Sequence, residues 1–397
     1  MRLSGSVFTV LFYRAGVFMK IVIAPDSYKE SLSAQQVATE IEIGFREIFP
    51  DADYVKLPVA DGGEGTVEAM VAATEGTLIR LRVTGPLGKP VEAFYGLSGD
   101  KSCAIIEMAA ASGLELVPSA DRDPLVTTSY GTGELIRDAL DRGVEHFIIG
   151  IGGSATNDGG AGMVQALGAK LLDERQQQIA PGGAALAGLM RIDMSEFDAR
   201  IARCRVEVAC DVSNLLLGPQ GASAVFGPQK GATPALVKQL DKALEHYAQI
   251  IQRDLDQDVL SLPGGGAAGG MGAALHAFCH AELRRGIEIV TEALGLDALV
   301  KDASLVITGE GRIDSQTIHG KVPVGVARVA KRYNKPVIAI AGSLTADVGI
   351  VHQHGLDAVF SVIYTICTLD DALQNAALNV RMAARNVAAA VAVGQRL

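Results

Sequence analysis

The sequence predicts an α/β protein in which a doubly wound parallel domain is split between the two chain ends and a mixed α/β domain is inserted between them. Three observations carry this. From Lys20 onward, short apolar runs alternate with amphipathic helical patterns, the signature of βαβ units. Around Gly85, Pro86, Leu87 and Gly88 two alternating segments read as a hairpin, which is antiparallel. After about residue 285 the parallel rhythm returns.

Each element follows from local pattern. Residues 21–24 (IVIA) read as a buried strand. Ser33 is placed to cap a helix carrying Val37, Ile41, Gly44 and Ile48 at helical spacing, ending near Pro50. A second strand is expected over 54–59, then a Gly-rich turn and a helix through Ala73. The texture then changes to hairpin strands at 78–83 and 90–97, with 104–108 pairing beside them. A helix at 133–140, a strand at 147–151, a helix over 161–172 and a strand at 206–210 follow. A long helix spans 234–254, and the glycine run 264–270 reads as a hinge or ligand loop. The return comprises a helix at 287–294, a strand at 305–308, a helix at 323–333, strands at 337–341 and 358–363, and a last helix over 369–391. The domain division this implies is 1–18 as an N-terminal appendage, 19–76 with 285–397 as the split domain, and 77–284 as the insertion.

Composition narrows the function. The 397 residues carry a formal net charge of −10, which disfavours a nucleic-acid or anionic-membrane surface because both need a cationic field. The five cysteines, Cys103, Cys204, Cys210, Cys279 and Cys367, include no C-x-x-C pair, which argues against a disulfide framework or a zinc ribbon and fits a reducing cytoplasm. The apolar stretch between Arg2 and Arg14 is too short for a membrane span and lacks an A-x-A-like cleavage site. An anionic substrate must then be held by backbone nests, single Lys or Arg residues, or a divalent cation.

Four Gly-rich segments hold acidic or amide residues: 61–66 (DGGEGT), 152–160 (GGSATNDGG), 264–272, and 308–314 (TGEGRID). Three follow an expected strand, and ligands bind such sheets at the carboxyl ends of their strands. Glycine lets several N–H groups converge on phosphate oxygens, and a carboxylate beside such a nest calls for a bridging divalent cation. The combination points to a Mg²⁺–nucleotide site. Other fingerprints fail. There is no P-loop, no protein-kinase set, no G-x-S-x-G elbow, and His276 lacks the Glu that a zincin helix requires. Asp211 and Asn214 sit at the tip of the strand over 206–210. Lys230 lies in a Gly/Pro-punctuated loop (226–231, FGPQKG) before the long helix, as a ligand-facing lysine would.

Residues 24–34 (APDSYKESLSA) resemble the opening of the bacterial class I glycerate kinases. The segments 61–66, 152–158, 226–231 and 308–314, with Gly320 and Lys321, are similar to that family's other signatures, in order along nearly the whole chain. The resemblance implies ATP-dependent, Mg²⁺-assisted phosphorylation of D-glycerate, usually at the 2-hydroxyl, within glycerate, glucarate and glyoxylate catabolism. It also implies a flavodoxin-like domain with an insertion likened to restriction-enzyme folds, and a cytoplasmic protein, monomeric or a small homo-oligomer, with no nucleic-acid or membrane partner. On this reading Asp211, Asp314 and Lys230 are the catalytic candidates, the two aspartates serving as Mg²⁺ ligands or general base. Lys29, Lys230, Arg312 and Lys321 neutralise the glycerate carboxylate and the phosphates. Gly152, Gly153, Ser154 and Thr156 form a phosphate nest, and Asp61, Glu64, Asn157, Asp158, Asn214 and Glu310 complete the binding set. Substrate is expected in a cleft between the two halves, closed by a hinge. A nicotinamide-dependent oxidoreductase on the same hydroxy acid, or a nucleotide-binding protein without catalysis, stays open beside this reading.

Overall fold

The computed structural model describes residues 19–63 and 65–396; the appendage 1–18 and the candidate Glu64 lie outside the described residues. Strand β1 (Lys20–Ile23) and strand β2 (Asp53–Lys56) pair in parallel, joined by helix Ala34–Arg46. Ser33 caps that helix as its sequence predicts. Its hydroxyl accepts from the Gln36 N–H while the Gln36 side chain takes the Ser33 N–H, so two donors left over at the helix start are satisfied. The buried stripe of Val37, Ala38, Ile41 and Phe45 faces the sheet and the C-terminal helix.

The chain then leaves this sheet. Strands β3 (Thr77–Thr84) and β4 (Pro90–Leu97) form the expected hairpin, and β5 (Cys103–Glu107) runs antiparallel to β4. Strand β6 (His146–Gly150) is parallel to β5. After a small antiparallel pair, β7 (Lys170–Leu172) with β8 (Arg191–Asp193), come β9 (Arg205–Ala209) and β10 (Glu282–Arg284). The inserted sheet has the order β10-β9-β6-β5-β4-β3, four parallel strands with the hairpin on one edge.

The first sheet is completed from the far end of the chain by β11 (Leu305–Thr308), β13 (Val337–Ala341) and β15 (Ala358–Ser361), with the two-residue strands β12 (Arg312–Ile313) and β14 (Ser343–Leu344) pairing beside it. Its order is β15-β13-β11-β1-β2, all parallel. Numbered by appearance, that is the flavodoxin-like arrangement, and the strand order reverses between β1 and β11.

Three expectations are corrected. The helix over 161–172 stops at Ala166, because Gly168 turns the chain at φ 98° and β7 follows. The last helix is two, Leu369–Gln374 and Ala376–Gly394, divided at Asn375. The glycine run at 264–270 is neither hinge nor exposed loop. It is a buried corner with left-handed residues at Ala268, Gly269 and Gly270, packed on the backbone at Thr156 and Asn157.

The two sheets share an apolar layer. Cys103, Ile105 and Ile148 on the inserted sheet meet Val67 and Met70 of helix Thr66–Ala73 and Ile287 of helix Gly286–Ala293, which continue into Val22, Val306 and Val326. The backbones come close enough to require glycine: a Cβ on Gly286 would lie 1.8 Å from the Asp61 carbonyl oxygen. Gly62, at φ 92°, abuts Ala209 at the end of β9. The carboxyl ends of the parallel strands of both sheets therefore point at one loop, 61–65.

Candidate active site

A cleft of about 1020 Å³ opens at the carboxyl end of the terminal sheet, where strand order reverses. This is where the fold leaves a crevice, because the loops after β1 and β11 depart to opposite faces. Its walls are the 26–35 loop, Asp61, the flank of helix Thr66–Ala73, residues 310–312, Lys321, and the leucines Leu369 and Leu373.

The 26–35 loop is held rigidly. The Asp26 N–H donates to the Gly309 carbonyl at 2.8 Å, and the buried Tyr28 hydroxyl donates to the Ile340 carbonyl at 2.6 Å. Burial and the charge on Glu310 push the Tyr28 phenol far above its ordinary value, so it remains a donor. Asp26 Oδ1 accepts from the Ser27 N–H at 2.6 Å and from its hydroxyl at 3.4 Å. Burial, with the charges of Asp61 and Glu310, pushes the Asp26 carboxyl up to about 7.

Across the reversal, Glu310 Oε1 accepts from the Thr317 hydroxyl at 2.6 Å and Oε2 faces Lys321 Nζ at 3.8 Å. Burial again dominates, aided by Asp314 and Asp61 against Thr317 and Lys321, and the Glu310 carboxyl sits at about 7. Asp314 lies just behind: Oδ1 accepts from the Gln316 N–H at 2.8 Å and Oδ2 faces Arg312 Nε at 3.3 Å.

Of the candidates read from the sequence, the cleft gathers Lys29, Asp61, Glu310, Arg312 and Lys321 along its walls. Asp211 stands at the seam between the sheets. Its Oδ1 accepts from the Gly286 N–H at 3.2 Å, and burial, with a contribution from Asp61, raises it to about 6. Gly152 and Gly153 are exposed at the end of β6, whereas Thr156, Asn157 and Asp158 are fully buried. Asp158 accepts from the Ser129 N–H and hydroxyl and from the N–H groups of Gly160 and Gly162. That half of the segment ties the insertion together instead of forming an open nest. Asn214 donates to the Gln220 carbonyl at 2.7 Å and is not among the residues lining the cleft.

Lys230 departs most from its expectation of a ligand-facing loop lysine. It ends the short 3₁₀ turn Pro228–Lys230 and is 1% exposed, its Nζ donating to Ser154 Oγ at 2.7 Å and to the Thr156 carbonyl at 2.6 Å. Burial lowers its ammonium to about 7, against the opposing charge of Asp158. The turn buries its side chain inside the insertion, and it is absent from the cleft lining. The cleft that gathers the site candidates is lined by the terminal segments alone, whereas a smaller cavity of about 310 Å³ lies between the halves, lined by Met70, Thr74 and Ala293 with Asp100, Cys103 and His146.

Asp26 escaped the sequence reading as a functional residue, although it sits within 24–34 and follows a strand. The strand-tip rule applied to Asp211 would have selected it. Glu68 also lines the cleft, with no signal beyond its place on a helix.

The family model described as the glycerate kinase family matches residues 21–392. The chain is 65% identical over 378 residues to a glycerate 2-kinase of Escherichia coli K12, covering 95% of this chain and 99% of that one. It is 56% identical to a glycerate kinase of Bacillus subtilis 168, over 96% of this chain and 99% of the relative. A crystal structure assigned as glycerate kinase 2 from Salmonella typhimurium LT2 superposes with a TM-score of 0.90 at 72% identity, covering 96% of this chain and all of that one. With the match running from β1 into the C-terminal helix, the chain belongs to the glycerate kinase family and is a kinase.

Proposed function

We propose that this protein transfers the γ-phosphoryl group of ATP to the 2-hydroxyl of D-glycerate, giving 2-phosphoglycerate in the catabolism of glycerate, glucarate and glyoxylate. The observation that carries the reading is the meeting of Lys29, Arg312 and Lys321 with Asp26, Asp61 and Glu310 in one cleft at the strand-order reversal. The choice of the 2-hydroxyl is supported by the name of the Escherichia coli relative.

Phosphoryl transfer asks for in-line positioning and charge compensation more than covalent chemistry. Lys321 and Arg312 flank Glu310 and Asp314 on the β11 side and present cations to the phosphates or to the glycerate carboxylate. Ala69, Ala72, Leu369 and Leu373 supply an apolar stretch of wall suited to the flat adenine face. The rigid 26–35 loop orients the acceptor hydroxyl beside the carboxylates.

The raised carboxylates near the cleft would be relieved by a divalent cation carried in with the phosphates. Burial and repulsion hold Asp211 at about 6 and Glu310 at about 7, a strain that added positive charge relieves. Among the described residues no three His, Cys, Asp or Glu side chains form a ready-made cage, but Mg²⁺ bound with phosphates needs only one or two carboxylates. Asp211 and Asp314, the ligands expected from the sequence, both stand outside the cleft lining, Asp211 at the seam and Asp314 with its oxygens on the Gln316 N–H and Arg312, so the fold gives the pair no shared cation site at the cleft. Among the described residues no helix is long and apolar enough to cross a membrane.

The test is phosphorus NMR of a reaction with D-glycerate and ATP. A 2-phosphoglycerate signal is expected. The 3-phosphate alone would correct the regiochemistry, and ADP release with neither product would end the reading.

A further inference from the structure

We propose that Asp26 is the general base of the transfer, its Oδ2 taking the proton of the acceptor hydroxyl. The inference rests on the glycerate kinase reading above and deepens it by giving one cleft carboxylate a distinct role.

Position comes first. Asp26 follows β1 at the strand-order reversal, and its N–H is pinned to the Gly309 carbonyl of the neighbouring strand end at 2.8 Å. Its side chain lines the cleft. Oδ1 is fixed by both donors of Ser27, and among the described residues Oδ2 has no hydrogen-bond partner. One oxygen is thus clamped and the other left for a ligand, the arrangement a base needs to meet a hydroxyl at hydrogen-bond distance.

Glu310, Asp314 and Asp211 are placed for other work. Glu310 has one oxygen on Thr317 and the other facing Lys321. Asp314 divides its oxygens between the Gln316 N–H and Arg312. Asp211 stands at the seam, outside the cleft lining. Asp61 accepts from the Gly63 N–H at 3.1 Å and acts on Asp26 by its charge.

The charged groups around Asp26 come from every neighbouring segment: Asp61 from the loop after β2, Glu310 from the loop after β11, and Lys29 and Glu30 from its own loop, with Arg312 and Lys321 beyond Glu310. Burial and the two facing carboxylates raise its proton affinity to about 7, so that it can both accept and release a proton near neutral pH.

In the step, a bond forms between the hydroxyl oxygen and the γ-phosphorus of the nucleoside triphosphate. The bond from that phosphorus to the β,γ-bridging oxygen breaks, and its electron pair leaves on the nucleoside diphosphate. The hydroxyl proton passes to Asp26 Oδ2 and from there to water after the product departs.

The experiment compares wild type with Asp26→Asn, measuring kcat for phosphoglycerate formation against pH, nucleotide affinity by calorimetry, and folding by circular dichroism. Asp26→Asn is expected to lose about 10²- to 10⁴-fold in kcat, to keep nucleotide affinity within about threefold, and to lose the acidic limb that wild type shows. A variant that keeps kcat within about tenfold, or keeps the limb, overturns the proposal. If Asp26→Asn does not fold, Asp26→Glu decides beside wild type. A wild-type rate limb that shifts in Asp26→Glu supports the base, and a flat wild-type profile from about pH 5.5 to 8.5, or a limb that Asp26→Glu leaves unmoved, overturns it. Absence of phosphoglycerate from wild type at any pH overturns the kinase reading and this one together, whereas an active wild type with an unimpaired variant removes only the base.

Discussion

Lys230, enclosed in the insertion, and Asp26, half-buried at the cleft wall, are both ionisable side chains held at about 7, yet they are built differently. Lys230 is enclosed, with two donors spent on Ser154 and Thr156 and Asp158 nearby to oppose its loss of charge. Asp26 lies at the wall of an open cleft among like charges, with one oxygen uncommitted. The first environment is complete without a ligand; the second is completed by one. A perturbed pKa by itself marks neither structure nor function. What separates the two is whether the neighbours already compensate the charge.

The largest break in this comparison is Lys230→Ala. It would leave Ser154 Oγ and the Thr156 carbonyl without their donor, beside Thr156 Oγ1 and Asn157 Oδ1, which already lack partners. We expect a stability loss of about 3–5 kcal/mol, read by denaturant unfolding. A loss under about 1 kcal/mol would mean the insertion does not depend on this knot. Lys321→Ala tests the opposite case. It removes a half-exposed cation at the cleft wall, so kcat/KM should fall by about 10- to 200-fold, the equivalent of about 1.5–3 kcal/mol, while the melting temperature holds. Equal losses in activity and stability would move Lys321 into the structural class.

The two regions also predict opposite pH slopes. Asp26 and Glu310 titrate near 7 when folded, above ordinary carboxylates, so the stability they contribute at low pH is lost as pH rises toward 7. Each such proton sets a slope of about 1.4 kcal/mol per pH unit. Lys230 is depressed instead, so its penalty is in full below 7 and is relieved as pH rises from 7 toward its ordinary range. Unfolding measured across pH should show the fall below 7 weakened in Asp26→Asn, and the rise above 7 abolished in Lys230→Ala. Smallest is Ser33→Ala at the cleft rim. Removing the capping box should cost about 1 kcal/mol of stability and leave kcat unchanged.

Much of the fold is legible in the sequence. The hairpin, both sets of parallel strands and the Ser33 cap follow from period and punctuation, which are local. Apolar spacing continues past helix Ala161–Ala166 through Leu167 and Leu171, and only the left-handed turn at Gly168 shows that Leu171 belongs to a strand. At the site, residue type is legible in the sequence but side-chain direction is not. Lys230 and Asp158 have the composition of a ligand loop, and the fold turns both inward. Lys321, Arg312 and Glu310 have the same composition and turn outward to the cleft. Burial of a loop side chain depends on what packs over it: beside Asp158, Gly159 meets Tyr247 of helix Pro234–Leu255 and Gly160 meets Ala274 of helix Ala267–Cys279, both distant from it in sequence.

The split sheet has a consequence for synthesis. β1 lies between β2 and β11, and the hydrogen bond from Thr308 Oγ1 to the Ala24 carbonyl closes a separation of 284 residues. Until the ribosome has released β11, the first strand to be made has one edge without its neighbour. Every strand of the inserted sheet is available by Arg284, and its contacts are more local. Because chain closure must precede the reward of non-local pairing, the insertion has the shorter route to order. The candidate cleft, which needs β1 and β11 side by side, therefore forms only after the inserted sheet is complete. A nascent chain stalled before Leu305 would carry a folded insertion and no binding site.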